Sequence, residues 1–319
     1  MTAGSHEVLQ ARDLSRWYGE VIGLNGVTFE TREGLVGLLG PNGSGKSTLL
    51  NLVTGQLRPS NGELRVLGET PWHNRALMGR IGFVPEIDTF WEWMTGFDFV
   101  ARLTRLHGFD RSEAQERARS ALTQVQLQAD AWQRPLGTYS RGMRQKAKIA
   151  QAIAHDPALL VLDEPLTGAD PISRKHLNEV IKARAAAGVK VVFSSHILHE
   201  VEALTDEVLV LSRGRLVARG RVEAIRRLID ERPHKIRVQV SEPRALAREL
   251  VDERGVVSIR LGPEPSVLTV ETTDPDRFGE RVPRLCLDKG LRLTHVSASD
   301  ASLQAVFDYL FEGRREVDA

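Results

Sequence analysis

The residues best suited to chemistry lie in one glycine-rich loop, which reads G-P-N-G-S-G-K-S-T from Gly40 to Thr48. An apolar run typical of a short buried strand precedes this loop, and a helical pattern follows it. Glycines let successive backbone N–H groups converge on phosphate oxygens, and the positive end of the following helix points to the same anion. Lys46 would add a mobile positive charge at the β- and γ-phosphates, and the Ser47 hydroxyl can bind Mg²⁺. The pattern predicts a nucleoside triphosphate site with these contributors: Asn42, Gly43, Ser44, Gly45, Lys46, Ser47 and Thr48.

A second group of candidate residues follows the apolar run Leu159–Leu162, which continues with Asp163 and Glu164. A run this apolar is typical of a central parallel strand that is buried on both faces. Open α/β sheets bind ligands at the carboxyl ends of such strands. We therefore expect Asp163 to hold Mg²⁺ through water and Glu164 to polarise the water that attacks the γ-phosphate.

Four further segments make the chain similar to one known family. They are Arg16–Gly19, Tyr139–Gln145, Leu166–Asp170 and Ser194–His196. In this order they resemble the adenine-stacking loop, the signature motif, the D-loop and the switch histidine of the nucleotide-binding subunit of ABC (ATP-binding cassette) transporters. The resemblance covers roughly the first 230 residues, about the span of one large α/β domain. It implies ATP and Mg²⁺ as cofactors and a P-loop NTPase (RecA-like) core.

The resemblance also implies roles for single side chains. Tyr18 would offer its ring to the adenine base, because a base stacks on any aromatic face; the alternative is a tyrosine packed at a strand end. We expect Trp17 on the core side of the same strand. His196 would contact the γ-phosphate and the attacking water, orienting them, whereas the plain alternative is an ordinary buried histidine.

The signature motif places Ser140 and Gly142 at the start of a helix, which makes another anion site. In the family this helix faces the γ-phosphate bound to the opposite subunit, so ATP lies between two copies arranged head to tail. The alternative is that Ser140 only caps the helix. Arg141 and Met143 replace the commoner glycine and glutamine, and this variant resembles those of exporter-type cassettes.

A further departure from the family lies in the segment Ile81–Glu86, which resembles the Q-loop but ends in Glu86 instead of glutamine. A carboxylate can approach Mg²⁺, yet it adds negative charge beside a triphosphate. Metal binding by Glu86 and a solvated acid in a mobile loop therefore both stay open.

Composition excludes several classes of protein. The chain has 319 residues, 41% of them hydrophobic and 27% charged, with a formal net charge of +1. These values are typical of a globular protein with one large and one small domain, and the charge is too small to predict nucleic acid as the main partner. The single cysteine, Cys286, fits a reducing compartment. We expect no signal peptide and no membrane span, because no apolar run is long enough.

The pattern along the chain predicts how the first domain, residues 1–230, is organised. Alternating segments near 7–35 and 61–69 predict an antiparallel β subdomain, and residues 88–155 read as a helical subdomain. Asp110–Glu113 resembles a capping box. The segment Phe90–Met94 holds three aromatic residues and a methionine. It either packs between two lobes or grips a helix of a partner, as the family's transmembrane subunit would require.

The remainder, residues 234–319, predicts a small C-terminal domain after a hinge at Pro233. Its pattern runs strand, helix, strand, strand, helix, strand, which is typical of a ferredoxin-like α+β sandwich. One more helix is expected around Leu303, Val306, Phe307 and Leu310. Similar extensions occur on exporter cassettes, and dimer support or regulation is the role we expect.

Together these features predict the ATP-hydrolysing subunit of an exporter. Two copies would bind MgATP between them and act through a separate polytopic transmembrane permease, at the cytoplasmic face of the membrane. A regulatory or sensor cassette with low hydrolysis is the alternative, favoured by Glu86, Arg141 and Met143. An ABC ATPase of DNA repair or translation is disfavoured, since the sequence has no coiled-coil insertion, zinc cysteines or second cassette. A P-loop kinase or GTPase would not explain Ser140–Gln145.

Overall fold

The computed structural model divides the chain into two compact units, Met1–Val222 and Glu223–Ala319. The residues that it describes are 7–32, 34–88, 90–224, 233–262 and 266–298. The helix expected around Leu303–Leu310 lies outside them, as does most of the segment before the expected hinge at Pro233. The domain boundary near residue 230 therefore stays a prediction.

The first unit holds nine strands and seven α-helices in the part of the chain that is described. In chain order they are β1 (Leu9–Tyr18), β2 (Val21–Thr31), β3 (Leu35–Leu39), α1 (Lys46–Val53), β4 (Asn61–Val66), α2 (Arg75–Met78), β5 (Ile81–Val84), α3 (Gly96–Arg105), α4 (Arg111–Gln124), α5 (Arg141–Ile153), β6 (Leu159–Leu162), α6 (Pro171–Ala186), β7 (Lys190–Ser195), α7 (Leu198–Glu202), β8 (Glu207–Ser212) and β9 (Arg215–Arg221). Two short 3₁₀ turns, Ala129–Ala131 and Leu136–Thr138, precede α5.

The central sheet of this unit has six strands in the order β5-β6-β7-β3-β8-β9. All neighbouring strands are parallel except β8 and β9, which form an antiparallel pair. All four residues of β6 are buried, as the apolar run Leu159–Leu162 predicts for a strand with neighbours on both sides and helices on both faces.

A second, antiparallel sheet has the order β2-β1-β4. Its alternating apolar residues share one hydrophobic core with helix α1 and the central sheet, including Leu14, Leu24, Leu49 and Leu209. The antiparallel strands expected beside the nucleotide core are confirmed. This packing holds the loop before α1 between the two sheets.

Helices α3, α4 and α5 pack together as one group. These helices are capped by the side chains of Thr95, Asp110 and Ser140, in that order. Each capping side chain accepts a hydrogen bond from a backbone N–H of the first turn of its helix. The Asp110 carboxylate accepts from Glu113 N at 2.8 Å, which confirms the predicted cap of α4. Apolar faces of the three helices then pack against one another, and Ala118 and Ala150 are among their buried residues.

The second unit contains β10 (His234–Val240), α8 (Pro243–Leu250), β11 (Val256–Leu261), β12 (Val267–Thr272), α9 (Pro275–Asp288) and β13 (Leu293–Ala298). The four strands in its described residues lie in the order β11-β12-β10-β13, and every neighbouring pair is antiparallel. Apolar residues of both helices and the sheet form one core, including Val238, Leu246, Val270 and Val282. Along the chain the elements follow the order strand, helix, strand, strand, helix, strand that the pattern predicts.

Within the described ranges, no helix is both long enough and apolar enough to span a membrane.

Candidate functional site

Three neighbouring strands of the central sheet deliver the predicted motifs to one edge. Strand β7 lies between β6 and β3, and all three are parallel. Their carboxyl ends therefore meet at the same edge, where the sheet carries the glycine-rich loop, the two acids and the histidine. A backbone hydrogen bond from Gly40 N to Ser195 O, 3.3 Å long, ties the first of these segments to the third.

Lys46, the first residue of α1, is buried inside the loop that precedes it. Its ammonium donates to Gly40 O at 2.7 Å and to Pro41 O at 3.2 Å. The loop thus wraps around the ammonium and holds it by carbonyl oxygens. An ammonium fixed in this loop can attract the negative charge of a phosphate.

Gly45 gives the loop its shape. The residue has φ +106°, a conformation that side-chain-bearing residues rarely adopt, and a Cβ there would lie 2.6 Å from Gly23 O. The conformation aims the N-terminus of α1 into the loop, since Gly45 is the cap of this helix and no side chain caps it. The free N–H groups of the first turn are then available to an anion.

The other loop residues fit a phosphate ligand in different ways. The Ser44 hydroxyl is buried and has no hydrogen-bond partner among the described residues, so it is a polar atom that a phosphate oxygen would satisfy. Asn42 and Gly43 are exposed at the loop tip, and Ser47 and Thr48 are half-buried on the first turn of α1. All seven predicted residues therefore lie in the loop or on the first turn of α1.

Glu164 lies next to this loop and is also buried. Its Oε1 is 3.3 Å from Lys46 Nζ, and the two side chains are only 4% and 6% exposed. Two buried opposite charges at this distance attract strongly, since little water screens them. The expected acid after β6 is therefore joined to the predicted phosphate-binding lysine.

Ser194, in strand β7, connects the two acids, and sequence reasoning missed this contact. Its hydroxyl donates to Asp163 Oδ1 at 2.6 Å and accepts from Glu164 N at 2.8 Å. The second bond holds Glu164 in a left-handed conformation, φ +49°, that a glutamate seldom adopts. A serine one strand away could be found from the sequence only if the strand order were known.

His196 is 2.9 Å from Glu164, measured from Nδ1 to Oε2. An ionised carboxylate only accepts hydrogen bonds, so Nδ1 is the donor in this contact. The same Oε2 accepts from Thr167 Oγ1 at 3.2 Å. The histidine ring is partly exposed, so Nε2 can reach a ligand at the edge of the sheet while Nδ1 holds Glu164.

The oxygen atoms available at this edge fit Mg²⁺, which binds carboxylate, hydroxyl and water oxygens. Ser47 offers a hydroxyl on the first turn of α1, and Asp163 offers a buried carboxylate oriented by Ser194. Glu86 lies in the loop after β5 with its side chain exposed. The described residues contain no group of three or more His, Cys, Asp or Glu that would hold a metal without a nucleotide.

Lys148 of α5 anchors the loop that carries Glu86, and this residue too was missed. Its buried ammonium donates to Pro85 O at 2.9 Å and to Glu86 O at 3.1 Å, and lies 3.0 Å from Asp88 Oδ1. The ammonium thus has two carbonyl acceptors and one ion-pair partner. The backbone at Glu86 is therefore tied to the helix that begins at the signature motif.

Ser140 caps this helix, because its exposed Oγ accepts from Met143 N at 3.3 Å. The capping alternative is thus realised, and phosphate contact by the same residue stays a prediction. Gly142 is buried, and a Cβ there would lie 3.0 Å from Ser173 Oγ of α6. The start of α5 therefore packs against the start of α6.

Helix α6 begins at Asp170, the last residue of the predicted D-loop. The pKa of Asp170 is lowered by hydrogen bonds to its carboxylate. The backbone N–H and the hydroxyl of Ser173 have the largest effect, and Ile172 N has a smaller one. The carboxylate therefore stays charged at the positive end of α6, which fixes where the D-loop turns into a helix.

Tyr18 and Trp17 lie at the end of β1, and the expectation for Trp17 is wrong. Trp17 is 45% exposed and Tyr18 42% exposed, so neither faces the core. Strand β4 pairs with β1 only as far as Ser15, so at these two residues β1 pairs with β2 alone. The Tyr18 hydroxyl is 3.4 Å from Thr48 Oγ1, which places the ring beside the phosphate loop.

The aromatic segment Phe90–Met94 divides into packed and exposed residues. Met94 is buried, and Phe90 makes an edge-to-face contact with Phe99 of α3 at 5.2 Å between ring centres. Trp91 and Trp93 are 51% and 70% exposed. Core packing is therefore observed for Phe90 and Met94. Trp91 and Trp93 leave a free surface, and binding of a partner helix there stays a prediction.

Comparison with known proteins places these motifs in context. The family model described as ABC transporter matches residues 24–167. The daunorubicin/doxorubicin resistance ATP-binding protein DrrA of Streptomyces peucetius is 32% identical over 301 residues, covering 94% of this chain and 91% of the relative. The Nod factor export ATP-binding protein I of Ralstonia nicotianae is 35% identical over 222 residues, covering 68% of each protein. A solved structure of the ATP-binding subunit of an ABC transporter superposes with a TM-score of 0.62 at 29% identity, covering 70% of this chain and 93% of that one.

The Ser194 contacts generate a stability prediction. We expect Ser194→Ala to lower the free energy of unfolding by about 1–3 kcal/mol, because Asp163 Oδ1 and Glu164 N lose their buried partner. Urea unfolding followed by circular dichroism measures this loss.

The matched control is Ser212→Ala in β8, since the buried Ser212 hydroxyl has no hydrogen-bond partner among the described residues. We expect this substitution to be near neutral. Equal losses in the two variants would contradict the bridging role of Ser194.

Proposed function

The chain belongs to the ATP-binding subunits of ABC transporters and is an ATPase, and from this premise we propose that two copies bind MgATP head to tail between them to power export by a separate transmembrane subunit. The observation that supports this most is the meeting of Lys46, Glu164 and His196 at one sheet edge. These are a phosphate-binding cation, a general base and a group that orients it.

Binding of the triphosphate begins at the loop around Lys46. Phosphate oxygens would accept hydrogen bonds from the first turn of α1 and from Ser44, whose buried hydroxyl has no partner among the described residues. They would also attract the Lys46 ammonium, which is now 3.3 Å from Glu164. Movement of the ammonium toward phosphate would release Glu164 Oε1. Tyr18, beside Thr48, would stack on adenine.

Hydrolysis would then use the released carboxylate. Glu164 orients a water molecule for in-line attack on the γ-phosphate and accepts its proton. His196 holds Oε2 of the same carboxylate through Nδ1 and presents Nε2 to the γ-phosphate. A magnesium ion, held by Ser47, through water by Asp163, and by Glu86, would neutralise charge on the phosphate oxygens.

The second copy would complete the site through the start of α5. A helix N-terminus attracts an anion, and Ser140 and Gly142 form this one. Arg141 is exposed at the same point and adds positive charge. The γ-phosphate would thus bridge two copies, and its loss on hydrolysis would loosen them, since a ligand that binds the closed state better stabilises that state. The C-terminal unit would support this dimer.

The membrane partner would dock beside the loop that carries Glu86. The exposed rings of Trp91 and Trp93 follow this loop, and aromatic side chains of this kind anchor helices of partner proteins. The proposed location is the cytoplasmic face of the membrane. Export is proposed because relatives are described as a drug-resistance protein and a Nod factor export protein.

We expect Glu164→Gln to lower kcat for ATP by at least about 100-fold while ATP binding is retained, because the amide keeps the shape but cannot accept the proton. The variant should form an ATP-dependent dimer in size-exclusion chromatography, since the bridging phosphate is not removed. Glu116→Gln, an exposed glutamate in α4, is the control. Wild-type turnover by Glu164→Gln would refute the catalytic role.

We expect Trp91→Ala and Trp93→Ala to reduce the amount of polytopic membrane protein that co-purifies with the tagged chain from detergent extracts of its own cells. ATP binding should be unchanged, because both rings are exposed. Leu106→Ala, at another exposed apolar residue, is the control. Unchanged co-purification, or loss of folding in the tryptophan variants, would contradict a docking role.

A further inference from the structure

Glu200, in helix α7, is a buried acid that takes no part in the proposed hydrolysis. Its side chain is only 2% exposed. A carboxylate removed from water raises the free energy of the folded state unless hydrogen bonds and an opposite charge compensate it. The contacts of Glu200 therefore indicate what it holds in place.

The first contact is with Ser195, which directly precedes His196. Ser195 Oγ donates to Glu200 Oε2 at 2.6 Å. Ser195 Oγ also accepts a hydrogen bond from Ile197 N at 3.0 Å. The carboxylate cannot donate, so the serine proton points to Glu200 and leaves a lone pair for Ile197 N. One hydroxyl thus holds the chain on both sides of His196, and Glu200 sets its direction.

The second contact is with Arg174 in α6. Arg174 Nη1 is 3.6 Å from Glu200 Oε1, an oxygen that has no hydrogen bond among the described residues. Arg174 lies one turn into the helix that Asp170 caps. The ion pair therefore connects the end of the predicted D-loop to the backbone around the histidine.

His196 in turn contacts the proposed base, with Nδ1 2.9 Å from Glu164 Oε2. A continuous series of contacts runs from Arg174 through Glu200, Ser195 and His196 to Glu164. Small displacements of a group that orients a base are costly, since about 1 Å can change a rate by about 100-fold.

We propose that Glu200 is a positioning residue for His196, and that its ion pair with Arg174 makes the placement of the histidine depend on helix α6. This inference rests on the proposed role of His196. It differs from a purely structural role, in which Glu200 would only fix α7 to the sheet and would act independently of the histidine.

The test compares steady-state ATPase and ATP binding of the full chain for Glu200→Gln, His196→Ala and the double variant. Glu200→Gln should lower kcat by about tenfold and change the ATP dissociation constant by less than about twofold. In the His196→Ala background it should cause no further loss, because the group it positions is gone. Glu179→Gln, an exposed glutamate in α6, should behave as wild type.

A second readout does not depend on residual activity. In ¹⁵N-histidine NMR, the His196 signal, assigned by its absence in His196→Ala, should shift in Glu200→Gln and not in Glu179→Gln. If Glu200→Gln does not fold, Ser195→Ala and Arg174→Met take its place, since each breaks one link of the same series. Both should lower kcat and move the His196 signal.

The outcomes separate the two claims. Wild-type turnover by His196→Ala would overturn the proposed role of the histidine. Loss of turnover in His196→Ala, with normal kcat and an unshifted His196 signal in Glu200→Gln, would overturn only the positioning role. Multiplying losses in the double variant would show that Glu200 acts on the fold and not through His196.

Discussion

The buried ion pair between Lys46 and Glu164 is the constraint on which the site depends. Both groups are almost fully removed from water and lie 3.3 Å apart. Removal of one member of such a pair leaves an unpaired buried charge, which costs about 3–5 kcal/mol. The backbone carbonyls of Gly40 and Pro41 support the ammonium, so the pair holds the glycine-rich loop against the end of β6. A ligand that carries more negative charge than one carboxylate can compete with Glu164 for the Lys46 ammonium.

The order of the strands places further side chains beside this ion pair. Because β7 separates β3 from β6, its last residues lie between the loop and the acids. Ser194 therefore orients both Asp163 and Glu164, and His196 reaches Glu164 from the same strand end. The residues proposed to bind phosphate and those proposed to act on water thus meet at the end of β7, and an ATPase needs this placement more than new covalent chemistry.

Residue types and their spacing along the chain predict much of the fold and of the site. The loop around Lys46, the buried strand before Asp163 and the cap at Asp110 follow from residue types at fixed spacing. The succession of strands and helices along the second unit follows from the patterns of apolar residues. Trp17 lies outside the core because β4 stops pairing at Ser15 and the register of β1 shifts between Arg16 and Trp17, and neither is visible in the sequence. Ser194 and the Lys148 contacts with the Glu86 loop could not be predicted, since they join segments distant in sequence through the strand order.

Calorimetric titration of MgATP into the wild type and Lys46→Met tests the central claim most directly. The double variant Lys46→Met/Glu164→Gln is the matched control, since it leaves no unpaired buried charge, and circular dichroism checks that both fold. We predict that each variant binds MgATP at least about tenfold more weakly than the wild type, because a charge-assisted contact to phosphate is lost. Binding as tight as that of the wild type by the folded double variant would contradict the account.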